Sequence, residues 1–267
     1  MSDFSLVRAT GRLQATFVAG IFASATLIAV ACAEISTDPQ VVASIAIDSL
    51  VSPSIVANDS LRDTLGIARP MHATIYNIQG TPLASIPIRF RTPDSGLTVD
   101  SVLGYVVADT ARASGIRLFA AAGSLQAAPD TVYIVPKPDT VVAVNARDSL
   151  LYSLTDTASV VSNPLQLQLQ HLNVGGGTLP VRSYIVSYAI TYPSDTVLAK
   201  LVTRDGSRRS SIDTTDATGT SARRIRLRTL SLTSASDSVV VVAMVRYLGM
   251  PVPGAPIRFV LLVKPQQ

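Results

Sequence analysis

From residue 41 onward, apolar and polar residues alternate in short runs broken by turn residues, the period-2 signature of half-buried strands. Val41 to Ile47 is the first strand candidate, and Asn58-Asp59-Ser60 marks a turn. Across Met71 to Tyr76, Ala73 and Ile75 share one side, while His72, Thr74 and Tyr76 share the other. After a turn at Gln79-Gly80-Thr81-Pro82, residues Ile86, Ile88 and Phe90 line one face, opposite Pro87, Arg89 and Arg91. Further strands are predicted at 97–99, 105–108, 115–121 and 131–135. Later runs follow at 140–144, 165–170, 183–191, 199–203, 222–230, 238–247 and 257–263. The clearest is Leu165 to Gln170, where three leucines alternate with three glutamines. A one-residue slip there would bury the glutamines, so its register is strongly specified.

Short strands at this spacing predict sandwiches. Pro136-Lys137-Pro138 is the best boundary, because two prolines around one residue favour an extended, stiff connector. The expectation is an all-β chain with two tandem β-sandwiches, residues 41–136 and 137–267. Composition agrees. Glu34 is the only glutamate, and Lys137, Lys200 and Lys264 are the only lysines, so the usual polar helix formers are scarce.

Gly80-Thr-Pro-Leu-Ala-Ser-Ile-Pro-Ile-Arg-Phe90 resembles the glycine–proline turn and aliphatic strand of bacterial immunoglobulin-like domains of the invasin and intimin type. So do Gly104, Val106 and Ala108, followed by Gly115-Ile116 and Ala120, and the run Thr215-Asp-Ala-Thr-Gly219-Thr-Ser-Ala222. The resemblance implies immunoglobulin-like sandwiches on the cell surface and does not imply one activity. A second copy of the first motif, Gly249-Met-Pro-Val-Pro-Gly-Ala-Pro-Ile-Arg-Phe259, could open a truncated third domain. A half-sandwich could not bury its face, so 238–263 is read as the closing hairpin of domain two.

The first 31 residues follow another pattern. Arg8 and Arg12 precede an apolar run, Leu13 to Ala31, and Cys32 behind it is the only cysteine. A basic start, an apolar middle and small residues at its end mark an export signal, residues 1–31, followed by a polar tether, 32–40. The run resembles a bacterial lipoprotein signal. That implies lipidation of Cys32 and attachment to the outer membrane or cell surface. Ala29 stands where that family prefers leucine. Two other outcomes stay open: cleavage at Ala29-x-Ala31 without lipid, and an uncleaved anchor, since the run has roughly the ~18 residues a span needs.

Little in the chain points to catalysis, and no enzyme and no cofactor is expected. His72 and His171 are the only histidines, too few for a zinc site of the usual ligands. No G-x-S-x-G elbow, P-loop or dinucleotide fingerprint occurs. Asp213 and Asp216 lack EF-hand spacing and read as a hairpin turn. The most suggestive surface is basic. Arg224, Arg226 and Arg228 alternate with Ile225 and Leu227, beside Arg223 and near Arg204, Arg208 and Arg209. Two readings stay open for this comb: a solvated strand face that blocks edge pairing, or a contact for an anionic partner. Nucleic acid is not expected, because no aromatic platform accompanies the arginines. The functional expectation is a non-catalytic envelope lipoprotein acting in adhesion, spacing or protein–protein contact. Its alternative is an accessory module for an anionic polysaccharide.

Overall fold

The computed structural model describes residues 41–110, 112, 114–152, 160–193, 198–228 and 238–265. The leader and Cys32 lie outside them. The described chain has strands and turns and no helix, so the all-β expectation holds.

The first domain carries β1 (Val42–Ile47), β2 (Ser54–Val56), β3 (Ala73–Asn77), β4 (Pro82–Leu83), β5 (Arg89–Arg91), β6 (Leu97–Val99), β7 (Val106–Ala108), β8 (Gly115–Ala122), β9 (Leu125–Gln126) and β10 (Asp130–Val135). One sheet runs β1-β3-β4 and the other β2-β10-β8-β5, with β6 and β7 as a separate ribbon. Ile55, Leu61, Ile75, Ile116, Leu118 and Ile134 form the centre of the core between them. Each such fully buried aliphatic side chain contributes roughly 1.5–3 kcal/mol by leaving water.

The second domain carries β11 (Thr140–Ala143), β12 (Arg147–Tyr152), β13 (Val160–Val161), β14 (Leu165–Leu172), β15 (Thr178–Pro180), β16 (Ile185–Tyr192), β17 (Ala199–Val202), β18 (Ile212–Thr214), β19 (Thr220–Leu227), β20 (Ser238–Met244), β21 (Arg246–Tyr247), β22 (Met250–Pro251) and β23 (Ile257–Pro265). One sheet runs β11-β14-β19-β13, with β17 on the far side of β19; the other runs β12-β23-β20-β16-β18. Leu165, Leu167 and Leu169 point inward and are buried, as their alternation predicts, while the glutamines between them are half-exposed.

Both domains repeat one closure. β2 pairs in parallel with β10, and β12 pairs in parallel with β23. An early strand thus meets the last strand of its own domain and seals the sheet. β23 also pairs antiparallel with β20, so residues 249–259 run from the β21–β22 ribbon into the sheet that holds β20 and β12. Their echo of residues 80–90 is turn chemistry. Gly80 and Gly249 both sit at positive φ, 76° and 78°, at the tip of a two-strand ribbon.

The predicted strand at 86–90 is shorter, Arg89–Arg91. Pro87 cannot donate to a ladder, although the alternating burial of Ile86, Ile88 and Phe90 persists. Conversely, β2, β12 and β13, and the short β4, β9, β15, β18 and β22, were not anticipated.

The domains meet over an ordered junction. Val56 and Val135 of domain one pack into the hydrophobic cluster of domain two. The connector between them is pinned: His171 Nδ1 lies 2.6 Å from Asp139 Oδ2 and 3.0 Å from the Lys137 carbonyl oxygen. Lys137 sits 6.0 Å from the Tyr247 ring centre, and Arg182 5.0 Å from that of Tyr133.

Candidate functional site

β19 is the middle of its sheet, flanked by β14 and β13 on one side and β17 on the other. Its pleat sends Ser221, Arg223, Ile225 and Leu227 into the sandwich and Arg224 and Arg226 to the outer face. Residues directly opposite on neighbouring strands share a face. Lys200 is opposite Arg226, and Val202 is opposite Arg224. Arg209 in turn bridges to Val202. Four cations are thereby grouped in two rows across adjacent strands.

The comb departs from a freely solvated face. Arg224 and Arg226 are only partly exposed, and Arg228 alone of the three is exposed. The cause is the hairpin at 203–209, held by Thr203 N–H donating to the Arg208 carbonyl (2.8 Å) and Gly206 N–H to the Thr203 carbonyl (2.8 Å). Gly206 is buried, in contact range of Val161 on the outer face, and its carbonyl accepts a hydrogen bond from Arg226 Nη2. The Nε atoms of Arg224 and Arg226 are buried without an acceptor.

Arg223 has a different role from its neighbours. It points into the sandwich and is ion-paired to Asp213 at 2.8 Å, with side-chain exposures of 6% and 20%. It also donates to the carbonyls of Ala222 and Ile212. Asp213 Oδ2 accepts from Ser221 Oγ (3.0 Å) and Ala222 N–H (2.7 Å), and Tyr188 Oη lies 3.0 Å from Ser221 Oγ. This network ties β19 to β16 and β18 across the core. Burial raises the Tyr188 phenol above its ordinary value. Asp216 serves the turn, accepting from the N–H groups of Thr218 (2.9 Å) and Thr220 (3.1 Å).

The charge balance around this face is uneven. Residues 198–228 hold eight basic and three acidic side chains, an excess of five where the whole chain has a net charge of +4. Asp213 is taken by Arg223 and Asp216 by Arg204. Asp205 turns inward on its own hairpin, where Thr203 Oγ1, then the N–H and hydroxyl of Ser207, hold its carboxyl well below the usual range. Among the described residues, Lys200, Arg208, Arg209, Arg224 and Arg226 have no carboxylate at ion-pair distance. Beside them, between β16 and β17, lies an open cleft of about 600 Å³ lined by Tyr188, Ile190, Leu201, Lys200 and Arg209.

Domain one offers a contrasting cleft of about 580 Å³ lined by Asp94, Arg112, Arg117 and Tyr133. Its carboxylate is paired. Arg117 Nη2 lies 2.8 Å from Asp94 Oδ1, and the Arg117 side chain, then its N–H, draw the Asp94 carboxyl down to about 2. His72 is exposed, and His171 is committed to the connector. Among the described residues no three His, Cys, Asp or Glu side chains are grouped to hold a metal ion.

No protein-family model matches the chain, and no curated protein matches it in sequence. Solved structures similar to it include domains 4–9 of the surface layer protein SbsC, at 13% identity over 85% of this chain and 32% of that one, TM-score 0.28. The Yersinia pseudotuberculosis adhesin InvE matches at 13% identity over 82% of this chain and 58% of that one, TM-score 0.29. Human protocadherin-24 EC1-2 matches at 13% identity over 84% of this chain and all of that one, TM-score 0.27. This chain therefore spans about a third of the SbsC fragment and under two thirds of the adhesin. At these scores the likenesses carry no statement about its function.

Proposed function

We propose that this protein is a non-catalytic module of the cell envelope, in which two immunoglobulin-like domains form one stiff spacer and interaction platform. In this reading lipid on Cys32 holds it at the membrane. The observation that carries the spacer role is the packed junction. Val56 and Val135 share domain two's core cluster. Tyr247 of domain two meets the Asp59–Arg62 ion pair of domain one. A linker with free hinge motion would leave such groups apart, since small polar interfaces are the norm between mobile domains. Stiffness suits a protein that must present a surface at a fixed distance from its anchor.

The anchor is tested by fractionating cells that express the wild-type chain or Cys32→Ser, with metabolic labelling by a clickable fatty acid. The expected result is labelled wild type in the membrane fraction and unlabelled, soluble Cys32→Ser. Membrane retention of the variant would instead establish an uncleaved span, and soluble wild type would establish simple cleavage.

A further inference from the structure

We infer that the outer face of β17 and β19 is a binding surface for a linear acidic polysaccharide, read through Arg224 and Arg226 with Lys200 and Arg209 beside them. The inference does not depend on how the N-terminus is anchored.

Three observations converge on it. First, the four cations are fixed by strand register: Arg226 opposite Lys200, and Arg224 joined through Val202 to Arg209. Strand geometry spaces Arg224 and Arg226 by about 6.5–7 Å, with neighbouring strands about 5 Å away. That makes a two-row ladder, suited to a polymer with charges repeating along its length.

Second, among the described residues these charges have no carboxylate at ion-pair distance. The three described carboxylates of residues 198–228 are each engaged elsewhere, by Arg223, by Arg204 and by the 203–209 hairpin itself. Buried ionic groups are normally paired. Here Arg224 and Arg226 keep Nε–H groups that reach neither water nor an acceptor. A partly buried guanidinium gains more from an anion at its exposed end than a fully solvated one does, because local screening is weaker.

Third, the shape selects among polyanions. The hairpin at 203–209 stands over the face and recesses Arg224 and Arg226, and a recessed site suits a narrow polymer better than a flat membrane surface. Lys200 and Arg209 also line the cleft beside β17, which adds a second concave cationic surface next to the recess. Tyr188, the aromatic residue of that cleft, is buried with its hydroxyl bonded to Ser221, so it offers no stacking platform for bases. A carboxylated or sulfated glycan fits a cationic recess without stacking.

The test uses the full-length protein in mild detergent against immobilised polygalacturonate and dextran sulfate, with neutral dextran and acidic phospholipid vesicles in parallel. Binding to both acidic glycans is expected, weakening steadily from about 0.05 to about 0.5 M salt. Arg224→Ser with Arg226→Ser is expected to weaken it at least about tenfold, a loss of roughly 1.4 kcal/mol. Arg89→Ser with Arg91→Ser removes the same charge from an exposed strand of domain one and is expected to change nothing. If the first pair fails to give a cooperative thermal transition, Lys200→Ser with Arg209→Ser replaces it with the same expected loss. Equal effects of the two domain pairs, capture by vesicles but not by glycan, or no retention at low salt would each overturn the inference.

Discussion

Gly66 and Gly249 touch across the domain junction: a Cβ on Gly66 would fall 2.4 Å from the Gly249 backbone nitrogen. Gly66 also sits at φ 77°. Gly66→Ala therefore meets two penalties, left-handed strain of about 1–2 kcal/mol and a collision with another domain's main chain that no rotamer relieves. Gly80 is the internal control, with φ 76° and nothing within 4 Å. Gly66→Ala is expected to lower stability by at least about 2 kcal/mol and to raise the radius of gyration in small-angle scattering. Gly80→Ala should cost only about 1 kcal/mol and leave the scattering unchanged. Indistinguishable scattering of the two variants would mean that the junction is not a close fit.

The register of β14 offers a second measurement. Leu167 has no exposed surface, whereas Gln166, one residue away, faces outward opposite Ala222. Leu167→Ala removes buried atoms and leaves a cavity, costing about 2–5 kcal/mol. Gln166→Ala should fall within about 0.5 kcal/mol of wild type. Urea unfolding of both variants reads the difference, and equal costs would place the strand in the wrong register.

These two cases also show what could be read in the chain. The leucine–glutamine alternation named the inward face of β14 because period 2 is a local property. The same parity was available for β19: Arg223 is in phase with Ile225 and Leu227, and it is inward. Its partner Asp213 lies on another sheet, so the ion pair that makes an inward arginine tolerable was invisible to local pattern. β2 and β12 were missed for a related reason. Both are defined by parallel pairing with the last strand of their domain, a contact that spans most of each domain's sequence. The comb on Arg224 and Arg226 was visible, but the hairpin folded over it was not, because Gly206 reaches Val161 and Arg226 only in three dimensions.

Acid should destabilise the protein in a definable window. Arg117 holds the Asp94 carboxyl down to about 2, the N–H groups of Leu103 and Val102 lower Asp100, and the hydroxyl of Thr203 leads the lowering of Asp205. Each group has a lower pKa folded than unfolded, where a carboxyl titrates near 3.9. Their stabilising contribution is therefore complete above about pH 5 and is lost as pH falls through 4 toward 2. The melting temperature should be flat from about pH 5 to 8 and decline below. The buried phenols of Tyr184 and Tyr188 are shifted upward. Their contribution is present below about pH 10 and lost above it, with phenolate absorbance appearing only as the chain unfolds. Phenolate signal from both near pH 10 in the folded state would contradict their burial.

The ion pair inside domain two decides how much specificity the core draws from charge. Asp213→Ala leaves Arg223, 6% exposed, with its charge uncompensated by a carboxylate, and removes the acceptor of Ser221 Oγ and Ala222 N–H. Breaking a buried pair from one side costs about 3–5 kcal/mol, and that is the expected loss in urea unfolding. Replacing both partners with apolar residues, Asp213→Leu with Arg223→Met, should recover most of it, because the desolvation of two ions is removed together with their attraction. Arg204→Ala breaks the exposed pair to Asp216, with exposures of 57% and 42%, and should cost less than about 1 kcal/mol. If the double variant regains stability but edge strand β18 loses amide protection in hydrogen exchange, the pair's function is to hold that strand in register against β16. If protection is also regained, packing alone holds the edge, and the charge pair adds nothing that a leucine and a methionine do not.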